Sequence, residues 1–234
     1  MDISSSTALV TGANRGLGRQ FATELLRRGA RVYAGARNPA SIDVDGAIPI
    51  TVDVTDPASV AAAAEAAGDV TLLINNAGIS ADVDLLTGDL DGARREMDTS
   101  YFGTLSVVRA FAPVIERNGG GGIVNVLSVL SWFSTPALGG YCASKSAAWS
   151  MTNVLRITLA DKGIRVTALH VGLMDTDMAA GMDAPKADPA QVAALTIDGV
   201  AAGAYEVLAD DSSRGVQAGL SKGCLLYTSP SPRD

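Results

Sequence analysis

Tyr141 and Lys145 stand four residues apart in the stretch GGYCASK at 139–145, and Ser128 lies thirteen residues before the tyrosine. A phenol and an ammonium at this spacing on a helix share one face. Free tyrosine ionises near pH 10, too high for proton transfer at neutrality, but a neighbouring positive charge favours phenolate and lowers that value. Such a pair can give a proton to a substrate oxygen or take one from it. Histidine is the usual side chain for this work, yet it occurs once, as His170 at the end of a predicted strand, where a packed structural role is expected.

The elements that must hold these groups follow from hydrophobic periodicity. Short apolar runs at 8–10, 32–34, 48–52, 70–74, 123–127 and 166–170 read as strands. Ala- and Leu-rich segments with helical spacing at 16–28, 57–67, 89–117, 140–162 and 189–208 separate or follow them. Strict alternation predicts βαβ units, hence an α/β chain with a doubly wound parallel sheet and helices on both faces. Ligands of such sheets bind beyond the carboxyl ends of the strands, near the switch in strand order. GGGG at 119–122 reads as the loop into the fifth strand, and no internal repeat is evident.

With 234 residues, 47% hydrophobic and 18% charged, one catalytic domain over 1–223 is expected. No apolar run reaches the roughly 20 residues that span a bilayer, and the N-terminus lacks the pattern of a secretory signal, so the cytoplasm is the expected compartment. A net charge of -7 argues against a nucleic-acid surface and for a small-molecule partner. The last eleven residues, CLLYTSPSPRD, back-translate into a run resembling a sequencing-adapter end, so 224–234 is expected to be a non-native tail. Cys142 is then the one native cysteine, and no disulfide or metal cluster is expected.

After the first strand comes TGANRGLG at 11–18. Its glycines Gly12, Gly16 and Gly18 let the backbone turn tightly and approach a pyrophosphate seated on free helix N–H groups. Together with Asp53 after the third strand, NNAG at 75–78 after the fourth, Ser128 after the fifth and YCASK on the next helix, the chain resembles the short-chain dehydrogenase/reductase family from about residue 7 to 176. The resemblance implies a Rossmann-type domain that passes hydride between a nicotinamide dinucleotide and a carbonyl or alcohol. It implies that Tyr141 is the acid and base, that Lys145 binds the nicotinamide ribose and that Ser128 steadies the substrate oxygen. It assigns cofactor contacts to Gly12, Asn14, Arg15, Gly16, Leu17 and Gly18, to Asp53 and Val54, to Asn76, Ala77 and Gly78, to Gly172, Met174 and Thr176, and to Tyr141 and Lys145 themselves.

Cofactor choice is read from charge. In YAGARNP at 33–39, Ala36 stands where an acid would bind the adenosine ribose of NAD, and Arg37 follows. Arg37 and Arg15 therefore favour NADP(H) over NAD(H), and with it carbonyl reduction. Three departures from the family pattern stand out. Ser100 occupies the position of an Asn that supports a water relay to the Lys. Val171 replaces a usual Pro. Residues 209–221, ADDSSRGVQAGLS, show nothing like a seventh strand and its ending, so a six-stranded sheet is expected. A homodimer through the long helices 89–117 and 140–162 remains the expected assembly. Trp132, Phe133, Leu138 and Met178 are candidates for an apolar substrate wall. A dinucleotide-binding regulator without turnover is the alternative class, and retention of both Tyr141 and Lys145 favours the enzyme.

Overall fold

Alternating apolar side chains sort the strands between two cores. The computed structural model describes residues 1–222, so the 224–234 tail lies outside the described residues. In β4 (Leu72–Asn75), Leu73 packs on one face with Leu9 of β1 (Thr7–Thr11), Ile123 of β5 (Gly121–Val126) and Val166 of β6 (Ile164–His170). Leu72 and Ile74 pack on the other with Val10, Val32 of β2 (Arg31–Ala36), Val124 and Leu169. This is the period of two that a strand buried on both faces requires. Phe111 and Ile115 of α4 (Thr104–Arg117) and Leu155 of α5 (Gly139–Thr158) cover the first face, with Val60 of α2 (Pro57–Ala66). Phe21 and Leu25 of α1 (Gly16–Arg27) and Ile197 of α6 (Pro189–Ala202) cover the second. Each such side chain contributes about 1.5–3 kcal/mol by leaving water.

All strands are parallel, in the order β3-β2-β1-β4-β5-β6-β7, with β3 at Ile48–Thr51. The chain winds outward from β1 to β3, then crosses back to lay β4 against the other side of β1. That reversal opens a crevice at the carboxyl ends of β1 and β4. Among the described residues no helix is long and apolar enough to cross a membrane.

The C-terminal third corrects the expected six strands to seven. α6 stops at Ala202 because Gly203 turns left-handed at φ 74, and β7 (Glu206–Leu208) then pairs with β6 through Ala168↔Glu206 and Leu169↔Val207. Residues 209–221, which carry no seventh-strand pattern, form α7 (Asp211–Gly219), whose start is fixed by the Asp210 carboxylate accepting from the Ser213 amide at 2.7 Å. The predicted helix 89–117 is divided into α3 (Leu90–Met97), a π-helical turn (Asp98–Gly103) and α4.

Candidate active site

The first strand ends at Thr11, and the backbone turns through Gly12 at φ 65 and Gly16 at φ 52, values that side-chain-bearing residues disfavour. Gly18 has a different task. A Cβ there would stand 2.1 Å from the Gly12 carbonyl oxygen, so only glycine lets helix and loop lie this close. Asn76 clamps the loop from the β4 side, its Nδ2 donating to the carbonyls of Thr11 at 3.0 Å and Gly12 at 3.2 Å. In return the Thr11 hydroxyl accepts from the amides of Asn76 and Ala77 at 3.0 and 3.1 Å. The first turn of α1 carries no acid, and among the described residues no side chain caps it. Its free N–H groups and glycine cradle fit the pyrophosphate of a dinucleotide.

A cavity of about 1270 Å³ runs along this crevice. It is lined by Gly12, Asn14, Arg15, Gly16 and Leu17, by Arg37, Asp53 and Val54, and by Asn76, Ala77 and Gly78. Ser128, Tyr141, Lys145, Gly172, Met174 and Thr176 line it as well. Of the predicted site residues, Gly18 and Ser100 alone lie behind the wall: Gly18 packs on the loop, and Ser100 is buried in the π-helical turn. Trp132 is not part of the lining, unlike Phe133, Leu138 and Met178. It stacks on His170 with ring centroids 3.7 Å apart and meets Trp149 edge-on.

Tyr141 and Lys145 rise from the first two turns of α5. Lys145 is 5% exposed, and its Nζ donates to the Val126 carbonyl at 2.9 Å while lying 5.6 Å from the centre of the Tyr141 ring. Burial lowers its pKa to about 8. Burial also pushes the half-buried Tyr141 phenol up to about 12, opposed by hydrogen bonding to the Ser128 side chain. The lowered phenol expected beside an ammonium and a positive nicotinamide is therefore not found in the chain alone, where desolvation dominates and the Ser128 hydrogen bond is what opposes it. Ser128 is held on several sides: its hydroxyl accepts from the Leu130 amide at 3.1 Å and donates to the Val171 carbonyl at 3.5 Å, its amide donates to the Ser131 hydroxyl at 3.3 Å, and its carbonyl accepts from the Ser131 amide at 3.0 Å and lies 3.2 Å from His170 Nδ1. His170 is fully buried, and its pKa falls to about 4 by desolvation. It is thus a neutral prop behind Ser128, the structural role expected.

At the other end of the cavity, Ala36 is buried and Arg37 exposed at the tip of β2. Asp53 is engaged by the Thr55 hydroxyl and amide at 2.7 and 3.0 Å, which hold its carboxyl below the usual range with help from Arg37. Arg15 meets Asp177 at 3.5 Å across the mouth, both well exposed, so it is only loosely committed. In the π-helical turn the Ser100 hydroxyl is buried without a partner among the described residues.

Several lining residues escaped the sequence reading. Leu130 and Met182 sit on segments with no motif, and α7 supplies Asp211, Ser212, Gly215 and Val216. That helix is fastened over the post-β6 loop by Asp210, which accepts from the Gly172 amide at 2.6 Å.

Residues 6–187 match the short chain dehydrogenase family, and the chain belongs to that family. It is 34% identical over 199 residues to a sorbitol dehydrogenase of Cereibacter sphaeroides, covering 80% of this chain and 78% of that one. It is 31% identical over 195 residues to dehydrogenase/reductase SDR family member 7B of Bos taurus, covering 75% of this chain and 60% of that longer protein. Among solved structures, a short chain dehydrogenase from Burkholderia cenocepacia J2315 in complex with NADP superposes with TM-score 0.94 at 38% identity, over 98% of this chain and 100% of that one. One from Burkholderia phymatum in complex with NAD superposes with TM-score 0.86 at 25% identity, over 100% and 99%.

Proposed function

We propose that the protein is an NADP(H)-dependent oxidoreductase that interconverts a carbonyl compound and its alcohol, with Tyr141 as acid and base. The observation that carries this is one cavity joining a glycine cradle and Arg37 at one end to Ser128, Tyr141 and Lys145 at the other. An NADPH held there would supply a hydride to the carbonyl carbon. Ser128 holds the substrate oxygen, and Tyr141 releases its phenolic proton to that oxygen, so that carbonyl, NADPH and one proton become alcohol and NADP⁺. The Lys145 ammonium, 5.6 Å from the ring centre, would offset part of the burial that raises the phenol once a positively charged oxidised nicotinamide adds to it. Lys145 and a water at the orphaned Ser100 hydroxyl return the proton from solvent.

Arg37, without an acid at Ala36, supports the 2′-phosphate of NADP(H), as does the NADP-bound relative from Burkholderia cenocepacia. One cation beside a phosphate is worth roughly 1–4 kcal/mol at effective dielectrics from water to a protein surface. Leu130, Phe133, Leu138, Met178, Met182 and Val216 give part of the lining an apolar wall that suits a carbonyl carrying an apolar substituent. A homodimer through α4 and α5 belongs to this reading, supported by Val154 and Ile157, which stand 59% and 81% exposed on α5.

The test is NADPH consumption over a panel of carbonyls by the wild type and Tyr141→Phe. Loss of general acid catalysis should cost about 10²–10⁴ in turnover while NADPH affinity is retained. Turnover that survives in Tyr141→Phe, or a preference for NADH, would refute the corresponding half of the proposal.

A further inference from the structure

Glu96 of α3 is completely buried, and only one of its carboxyl oxygens is used. Oε1 accepts from the Ala81 amide at 2.7 Å and so holds the segment after β4, whose Ile79, Ser80 and Asp82 line the cavity. Oε2 is buried without a hydrogen-bond partner among the described residues. It faces the first turn of α5 at Gly140, where a Cβ would come within 2.3 Å of it and 3.3 Å of the Ala93 Cβ. Only glycine admits this approach, and the next residue is Tyr141.

We propose that Glu96 is a positioning residue for Tyr141: its carboxyl wedges α3 against the start of α5 and ties both to the cavity segment at Ala81. This rests on the reading of Tyr141 as the acid. An apolar side chain could fill the same space between α3 and α5 without leaving a polar atom unpaired, so packing alone does not call for a carboxyl here. The carboxyl does what an apolar group cannot, accepting the Ala81 amide while abutting the backbone beside the phenol. Its charge is felt there, since Glu96 adds to the influences that raise Tyr141, and burial raises Glu96 itself, with Asp82 adding to the rise and the Ala81 amide and Arg95 opposing it.

The experiment compares Glu96→Ala, Glu96→Gln and Gly140→Ala with the wild type for kcat, carbonyl KM, NADPH Kd and melting temperature, with Tyr141→Phe run alongside. Misplacing a reacting group by an ångström costs up to about a hundredfold. Glu96→Ala should therefore lower kcat roughly ten- to hundredfold while NADPH Kd stays within about twofold. Glu96→Gln keeps an acceptor for Ala81 and nearly the same volume, and should restore most of kcat. Gly140→Ala leaves the carboxyl present but displaces it, and should reproduce the loss. If Glu96→Ala does not fold, Glu96→Gln and Gly140→Ala decide. Unchanged kcat in Glu96→Ala or in Gly140→Ala overturns the proposal, and so does a joint fall of kcat, NADPH affinity and melting temperature in the Gln variant, which marks a general structural prop. If Tyr141→Phe is inactive while Glu96→Ala is not, only this inference fails. If Tyr141→Phe keeps its turnover, the acid assignment fails first.

Discussion

Burial drives Tyr141 and Lys145 toward their neutral forms, one up to about 12 and the other down to about 8. Under the proposed reaction, such a site would hold its proton tightly until positive charge arrives beside it, coupling proton release to hydride loss by the cofactor. In the proposed function the same reliance on placed charge extends to cofactor choice at Arg37. Arg37→Asp sets a carboxylate where a cation stood, and the NADPH to NADH ratio of kcat/KM should fall at least about fivefold, the low end of one charge interaction. An unchanged ratio would show that Arg37 does not read the 2′-phosphate. Both assignments begin from residues adjacent to turns, where chemistry and backbone coincide, and that is why the sequence could suggest them. Glu96 was not. Its meaning depends on Gly140, far away in sequence, and no local pattern announces a contact between two helices.

The π-helical turn at Asp98–Gly103 widens the backbone where Ser100 replaces the family's Asn. Such turns commonly mark functional sites because they free backbone groups from the helical ladder. A serine leaves room that a longer amide would fill, at a cost of at most about 2 kcal/mol for ordering one more water. Ser100→Asn should therefore preserve kcat or raise it by at most about thirtyfold, with NADPH affinity unchanged. Steady-state kinetics on the best carbonyl of the panel decides this, and a folded but inactive Ser100→Asn refutes the relay. Strands β1, β2 and β4 to β6 were legible because they are buried on both faces and read as largely apolar runs, and β3 was legible from Ile48 to Thr51 despite its exposed sheet edge. β7 was hidden for the opposite reason: its three residues are only partly buried, and the apolar helical pattern of α6 continues up to it. The left-handed Gly203 that separates them looks in sequence like any other glycine of an Ala-rich helix. α7 is polar on its outer side and contributes little to either core, so its role as a cavity wall left no periodic trace.

For the whole molecule, His170 sets an acid limit. The folded chain holds it near 4 and the unfolded chain near 6.5, so between those values the unfolded state binds more protons and stability falls as pH drops. The loss approaches about 3 kcal/mol at the lower end, and raised Glu96 offsets part of it, since the fold takes up that proton more readily. Thermal melts of the wild type and His170→Asn across this range check it: the variant should show the flatter decline, and equal slopes would mean that His170 does not titrate in the fold. The stack behind Ser128 has an optical consequence as well. The protein has two tryptophans, Trp132 and Trp149, and they meet each other beside His170. Indole emission overlaps the absorption of a reduced nicotinamide, and imidazolium quenches indole. The intrinsic fluorescence of the chain is thus a built-in gauge of its own cleft, dimming by energy transfer when the reduced dinucleotide docks and by contact quenching when the buried imidazole takes up its proton.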